Sequence, residues 1–432
     1  MSSDPFYKTS VKKPHENVQQ VVGHLFRHEA GKMVAVLTRF LGTDHLDTAD
    51  DLVQDTLLKA METWRIGGVP ENPPAWLYKA AHNKAIDWVR ANQRKTRLLA
   101  AEEELIRTTW NLDTASEELF NEHEIQDSSL RMMFACSHPA IPFESQVALT
   151  LKTLGGLSVS EIANAFLTTD ETIAKRIYRA KEKFKQENIK LDSPGLFELP
   201  HRLDSVLQVL YLIFNEGYHS TQGNTMIRED LCEEAMRLTY LLIQHKATNF
   251  SKVKALMALM CIQSSRFAAR TGELGQIILL EDQDRSTWNK PLIQQGIYFL
   301  EQASEGNALS EYHIEASIAS VHALAQTFKE TRWDKLVTLY HTLMDYKPGS
   351  ITNLNYAIAI GYASSPERGI TELDKIENLK DHYLYLCARA NFYFLKGELQ
   401  QAKIHFEDAL TKASSKYEMD LIKRYLKKIV KK

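Results

Sequence analysis

Apolar residues recur three and four places apart from Val18 to about Arg94, in three groups. They are Val22, Leu25, Phe26, Met33, Val34 and Leu37; then Leu52, Val53, Leu57, Ala60, Met61 and Trp64; then Trp76, Leu77, Ala80, Ala81, Ile86, Trp88 and Val89. An α-helix turns once in 3.6 residues, so this spacing lines one side of each helix with core side chains and predicts a compact helical domain. The last two groups are separated by Ile66–Ala75, IGGVPENPPA, where two glycines and three prolines predict an irregular surface loop. A second helical unit is expected from Ser128 to about Glu187. It ends as LSVSEIANAF, LTTD, ETIAKRIYRAKEKF, which reads as helix, short turn, helix. Ser158 or Ser160 can cap the first of these helices and Thr169 or Asp170 the second. Leu157, Ile162, Ala163, Phe166, Ile173, Ile177 and Phe184 supply their shared core.

The sequence DSPG at 192–195 then marks a boundary, and 197–432 reads as helix after helix with few breakers. Near the end, Leu386, Ala390, Tyr393, Ala402, Phe406 and Ala409 occupy the small and large positions of a 34-residue helix-turn-helix repeat, with Lys396-Gly397-Glu398 as its turn. This is a tetratricopeptide-like unit. A weaker copy ends at Tyr340, Leu343 and Pro348, and 351–378 has the length of a third, although Arg389 and Leu336 depart from the pattern.

Length, 432 residues, predicts two to four domains, and 44% hydrophobic with 25% charged residues excludes a wholly disordered or fibrous chain. Cys136, Cys232, Cys261 and Cys387 lie far apart with no CxxC pair, so neither a disulfide framework nor a zinc ribbon is indicated. No stretch approaches the roughly 20 apolar residues of a membrane helix, and the first residues lack an apolar leader core. A cytoplasmic protein without a membrane partner is expected.

Net charge is −3, which says nothing of a nucleic-acid partner, but the local blocks do. Residues 79–97 carry Lys79, Lys84, Arg90, Arg94, Lys95 and Arg97 against Asp87, and 175–190 carry seven basic residues against Glu182 and Glu187. Between them, 102–127 hold nine acids and one base, which reads as a solvated linker. Upstream, Asp44, Asp47, Asp50, Asp51 and Asp55 stand without a basic residue, a pattern suited to meeting a basic protein surface. The second helix of the helix-turn-helix exposes Glu171, Thr172, Lys175, Arg176 and Arg179: polar groups at its start for base edges, cations along it for phosphates.

The string GLSVSEIANAFLTTDETIAKRIYRAKEKF resembles the minus-35-reading helix-turn-helix of bacterial extracytoplasmic-function (ECF) sigma factors. ADDLVQDTLLKAMETW followed by PPAWLYKAAHNKAIDWVR resembles their second region, in the family's order. The segments around LYLIFNEGYHS and LLEDQDRSTWN are similar to the subgroup with a long helical C-terminal extension. The resemblance implies that Asp51, Gln54 and Asp55 grip the coiled coil of the core RNA polymerase largest subunit. It implies that the 66–75 loop and the next helix, with Trp76, Tyr78, Lys79, Asn83, Lys84, Asp87, Arg90 and Arg94, capture single-stranded DNA at minus 10. Asn83 has donor and acceptor for a base edge, and the cations suit phosphates. Trp76 and Trp88 also fit the core, which their helical spacing favours. By the same resemblance Glu171, Thr172, Lys175, Arg176 and Arg179 read double-stranded DNA at minus 35. Leu167 stands where the family has a turn glycine.

Two enzymatic readings are open to the sequence. Cys136-Ser137-His138 lacks a second ligand pair at zinc spacing, so a buried thiol beside a surface His fits better. Asn215, Glu216, Tyr218, His219, Glu281, Asp282, Asp284 and Arg285, with Trp288 nearby, could line a ligand pocket or link packed helices. No Walker loop, GxGxxG, HExxH or GxSxG string is present. The expectation is therefore an all-α chain without catalytic residues, metal or cofactor. A sigma region 2-like domain spans 15–94, an acidic linker 95–127, a region 4-like domain 128–190 and a tetratricopeptide-like extension 197–432. Its partners would be core polymerase (coiled coil and flap), promoter DNA and a regulatory protein at the extension, with the chain on the nucleoid when engaged. The alternative is a tetratricopeptide-type interaction adaptor with a non-sigma helix-turn-helix.

Overall fold

The computed structural model describes residues 18–97, 122–166, 168–192, 195, 198–218, 228–270, 272, 278–306, 308–413 and 416–430. Leu167 and His219 lie outside the described residues. Among the described residues every regular element is helical, with no β-strand, as the apolar spacing predicts. None of these helices is long and apolar enough to cross a membrane. The chain divides into two compact units, Met1–Ile213 and Phe214–Lys432. The division falls within the helix Leu199–Tyr218.

In the first unit, α1 (Val18–Leu41) leads through a short 3-10 turn to α2 (Leu46–Gly67) and α3 (Pro73–Arg97). Met33, Val34, Leu37, Val53, Ala60, Trp64, Leu77 and Ala81 are buried between them. The irregular segment is shorter than the 66–75 loop expected. Ile66 and Gly67 still belong to α2, which stops at Gly68, whose φ of 79° suits only a residue without Cβ. Pro73 and Pro74 open α3, because the first helical positions need no donated N–H, and Asn72 caps it by accepting from Ala75 N at 3.2 Å.

The second half of this unit holds α4 (Glu122–Cys136), α5 (Phe143–Thr153), α6 (Val159–Ala165) and α7 (Asp170–Gln186). Residues 122–127, expected within the linker, form the start of α4. Ser158 caps α6 in a reciprocal box with Glu161, and Thr169 caps α7 by accepting from Thr172 N. Phe134, Leu149, Leu151, Ile162, Ile173, Ala180 and Phe184 form the core. Then α8 (Leu199–Tyr218) begins, and its Arg202 donates to the Phe134 carbonyl at 2.6 Å.

The second unit continues with α9 (Glu229–Gln244), α10 (Ser251–Ser264) and α11 (Phe267–Arg270). Nearly every residue of α10 from Ala255 to Ile262 is buried, as expected of a helix apolar on all sides. There follow α12 (Lys290–Ser304), α13 (Glu311–Leu324), α14 (Trp333–Tyr346), α15 (Ser350–Ala363), α16 (Pro366–Asp374), α17 (Tyr383–Leu395), α18 (Leu399–Lys412) and α19 (Lys416–Val430). The expected hairpin near the end is α17 and α18, turning at Gly397 with φ 82°. Its Leu386, Ala390, Ala402, Phe406 and Ala409 are buried, while Tyr393 is half-buried and stacks on His405. Arg389, the departure from the pattern, is held by Asp374 and Tyr385. Gly369 lets α16 close on α17: a Cβ there would lie 2.6 Å from the Phe392 ring.

Candidate functional site

On α2 the residues Asp51, Gln54 and Asp55 are all exposed, while Val53, Thr56 and Ala60 on the other side are buried. Steps of three and four residues put the three polar groups on one face, as the pattern requires. The face extends further than expected, to Leu58 and Met61, which are 58% and 47% exposed. Met61 was expected in the core. Its neighbour Ala60 occupies the inward position, and 100° of helical rotation turns Met61 outward. An acidic stripe running into an apolar patch suits a partner that is basic and apolar in turn.

On α3, Lys79, Asn83 and Asp87 are exposed at four-residue steps and form one row. Lys84 and Arg90 are only half-exposed, and Lys84 Nζ lies 3.5 Å from the Asp55 carboxylate, tying this helix to the α2 face. Tyr78 donates to Glu29 at 2.6 Å, so its hydroxyl is structural. Trp76 is half-buried and meets Trp64 edge-on at 5.5 Å, and Trp88 meets His45 at 4.9 Å. Both tryptophans pack, as their spacing favours. Arg94 is in α3, but its side chain lies outside the described residues. Beside this row, Ile66 at the end of α2 is 91% exposed and Val69 in the loop 37%. Both lie in the 66–75 segment that the resemblance assigns to strand capture, although one apolar residue at a helix end and one among glycines and prolines carry no periodic signal.

On α7, Glu171, Lys175 and Arg179 are exposed, and Lys175 pairs with Glu171 at 2.7 Å. Thr172 and Arg176, expected as exposed, are half-buried. Thr172 shares a hydrogen bond with the capping Thr169 hydroxyl at 2.9 Å, and Arg176 pairs with Glu144 on α5 at 2.5 Å. Both sit one position from the buried Ile173 and Ile177, which draws them toward the core edge. Tyr178, which periodicity also missed, is 65% exposed between Lys175 and Arg179. An aromatic on the polar side of a helix was the available signal.

These faces belong to one packed body. The segments expected as separate domains, 15–94 and 128–190, lie in one compact unit, and ion pairs join them. Arg39 on α1 donates to Glu124 at 2.7 Å, Asp127 at 3.0 Å and the Ser128 hydroxyl at 3.2 Å on α4. Asp50 on α2 pairs with Lys152 on α5 at 3.2 Å, and Asp47 pairs with Lys181 on α7. Gly31 on α1 abuts the Leu154 backbone so closely that a Cβ would lie 2.5 Å from the carbonyl carbon. The short acids Glu124 and Asp127, read from composition as a solvated tether, are therefore partners of Arg39. In the same half, Cys136 is buried, shares a hydrogen bond with Thr153 at 3.3 Å, and burial pushes its thiol up to about 12.

The Sigma-70 region 2 family matches residues 25–95, and a family of unknown function, DUF6596, matches 202–304. The chain is 32% identical over 383 residues to the uncharacterized protein R00370 of Rhizobium meliloti (strain 1021), covering 88% of this chain and 90% of that protein. It is 25% identical over 181 residues to the ECF RNA polymerase sigma-E factor of Haemophilus influenzae, 41% of this chain and 92% of that factor. Over 173 residues it is 25% identical to the RNA polymerase sigma factor YlaC of Bacillus subtilis (strain 168), 40% of this chain and 87% of that factor. No solved structure matches the chain.

Proposed function

Because the chain belongs to the family of RNA polymerase sigma factors and carries a C-terminal helical extension, we propose that its exposed faces on α2, α3 and α7 bind core polymerase and promoter DNA in transcription initiation. Asp51, Gln54 and Asp55 would contact the coiled coil of the polymerase largest subunit, with Leu58 and Met61 adding apolar area. Trp76, Lys79, Asn83, Lys84, Asp87, Arg90 and Arg94 would hold the displaced single strand at minus 10, the cations on phosphates and Asn83 on a base edge. Glu171, Thr172, Lys175, Arg176 and Arg179 would engage the duplex at minus 35, and the helix-turn-helix segment would meet the polymerase flap. Catalysis then belongs to the polymerase.

The observation that carries this reading is the exposed Asp51-Gln54-Asp55 stripe inside the span matched by Sigma-70 region 2. The test is co-migration of the full chain with sigma-free bacterial core polymerase in size exclusion, against Asp51→Arg. Asp51 is exposed, so its reversal leaves the fold intact. Co-migration lost on reversal supports the reading. Absence of co-migration by both the unaltered chain and a chain ending at Tyr218 refutes it and favours an interaction adaptor.

The extension would act as a tetratricopeptide-like regulatory domain. Comparing transcription by the full chain with a chain ending at Tyr218, which keeps α8 whole, assigns the sign. Lower activity of the shorter chain means support, and higher activity means restraint.

A further inference from the structure

Two sequence groups in the second unit have no part in the reading above: Asn215, Glu216 and Tyr218 at the end of α8, and the stretch Glu281 to Trp288. The structure brings Tyr218, Arg285 and Trp288 together and adds Arg266 and Arg270. Arg266 donates to the Tyr218 hydroxyl, and Arg270 lies 3.7 Å from the centre of the Tyr218 ring while donating to the Tyr218 carbonyl at 2.8 Å. Arg266 and Arg285 lie 5.6 and 4.7 Å from the centre of the Trp288 ring. Arg285 also donates to the carbonyls of His322 and Ala325, at 2.5 and 2.8 Å, at the end of α13.

Among the described residues none of these three guanidiniums forms an ion pair with a carboxylate, whereas Arg228 and Arg237 in the same unit are both paired. Helix-end carbonyls account for one nitrogen each of Arg270 and Arg285, and Glu330 acts on Arg285 only from beyond ion-pair distance, so no guanidinium of the three is directly paired. The strain of this arrangement shows in the titrating groups. Burial, with repulsion from Arg266 added, holds Arg270 and Arg285 below the usual guanidinium range. Burial first, then Arg266 and Arg285, push the His322 imidazole down to about 3. Donors are also left over in the interior. Trp288 is 4% exposed, and its Nε1–H, the Arg285 Nη2 group and His322 Nδ1 have no partner. A buried donor without an acceptor is costly, and cations gathered without counter-charge are costlier.

We infer that Arg266, Arg270, Arg285 and the indole N–H of Trp288 form a binding site for the phosphate group of a phosphate-bearing small molecule. A carboxylate brings one charge and would leave two cations uncompensated. A phosphate monoester brings about −1.5 to −2 charge and three acceptor oxygens, which matches guanidinium forks plus a single N–H. Arg266 and Arg285 already lie over the Trp288 ring, so what the indole has left for a ligand is its unpartnered N–H, and the site takes the phosphate in preference to an aromatic ring.

The site is tested on the purified full chain by thermal melting and calorimetry with inorganic phosphate, pyrophosphate or acetate at constant ionic strength set with chloride. A saturable rise in melting temperature of about 2–4 °C with phosphate or pyrophosphate, absent with acetate, is expected. Arg266→Gln and Arg285→Gln should weaken the binding at least about tenfold, as loss of one charge-assisted pair does. Arg368→Gln, which removes an exposed arginine elsewhere, should leave it unchanged. Trp288→Phe keeps the ring, removes only the N–H, and should weaken binding several-fold, so the site remains testable if an arginine variant fails to fold. No saturable response in the unaltered chain, a response equal to that of acetate, or full retention in Trp288→Phe and the arginine variants overturns the inference. The readout involves no polymerase and no DNA, so either result stands apart from the proposed role in transcription.

Discussion

Gly31→Ala isolates the packing of α1 and α2 against the helix-turn-helix half, because local and tertiary effects have opposite signs there. Inside a helix, replacing Gly by Ala removes backbone entropy from the unfolded chain and stabilises by roughly 0.5–1 kcal/mol. At Gly31, however, the new Cβ would stand 2.5 Å from the Leu154 carbonyl carbon and 2.8 Å from its Cα, with the carbonyl oxygen nearer still. Real Cβ contacts stay at 3.0 Å or more, so the backbone after α5, its carbonyl oxygen first, must retreat. A backbone atom cannot rotate away as a side-chain tip can. Overpacking of this kind costs roughly 1–3 kcal/mol, and the same shift lengthens the Arg39 and Asp50 ion pairs beside it. The net is a loss of about 1–2 kcal/mol, a fall of roughly 2–8 °C in the melting temperature. It also shifts the packed-to-open balance toward open by about five- to thirtyfold. Differential scanning calorimetry gives the sign, and small-angle scattering reports an increased radius of gyration if the halves part. A melting temperature that rises, with an unchanged radius, would mean α1 does not rest on Leu154 and would refute the packed arrangement.

Lys175→Ala and Arg179→Ala, both exposed on α7, should reduce minus-35-dependent transcription and flatten its salt dependence while co-migration with core polymerase stays intact. Loss of co-migration instead would show that α7 faces the polymerase. His322 is neutral when folded, with its imidazole at about 3 against an ordinary value of 6.5. The unfolded chain binds the extra proton between those values, so stability is full above about pH 6.5 and falls as pH drops toward 3, with a limiting slope of about 1.4 kcal/mol per pH unit. His322→Phe should flatten denaturation midpoints over that window, and an unchanged slope would remove His322 from the account. The Cys136 thiol, held near 12 by burial, and the other thiols, all raised by burial, should resist iodoacetamide at pH 8 until guanidinium exposes all four. Rapid native labelling at Cys136, read by peptide mass, would contradict its burial.

What the sequence reveals follows from which signals are periodic. Val53, Ala60, Leu77, Ile173 and Phe184 recur on one side of their helices, and each is in the core. The caps Ser158 and Thr169 were legible because their side chains act on backbone two or three residues away. Pro73 was misread because proline forbids helix interiors yet suits a first turn, and only position separates the two. Thr172 and Arg176 were misjudged because a residue next to the buried stripe can lean either way, and the choice was made by Thr169 and by Glu144, 32 residues distant. The pairings of Arg39 with Glu124 and of Asp47 with Lys181 span 85 and 134 residues, and no local pattern encodes them. Of the arginine cluster, Arg285 stands out in the sequence with Tyr218 and Trp288 as possible pocket lining, whereas Arg266 and Arg270 escape for the same reason and join it only through the fold.

The acidic run from Asp44 to Asp55 shows how one composition signal divides between two tasks. On α2, Asp47 and Asp50 are one turn apart on the side where Lys181 and Lys152 bind them. Asp51, Gln54 and Asp55 follow on the same side of α2 at steps of three and four residues and are exposed. The two groups therefore answer to different partners. Neutralising Asp47 and Asp50 together should loosen the union with the helix-turn-helix half and leave the outward stripe chemically unchanged. Replacing Asp51 by Asn and Gln54 by Ala should do the reverse. A polymerase-binding assay beside a scattering measurement separates the pairs. If Asp47→Asn with Asp50→Asn abolished polymerase binding while the radius of gyration stayed fixed, Asp47 and Asp50 would belong to the polymerase-binding stripe and not to the union with the helix-turn-helix half.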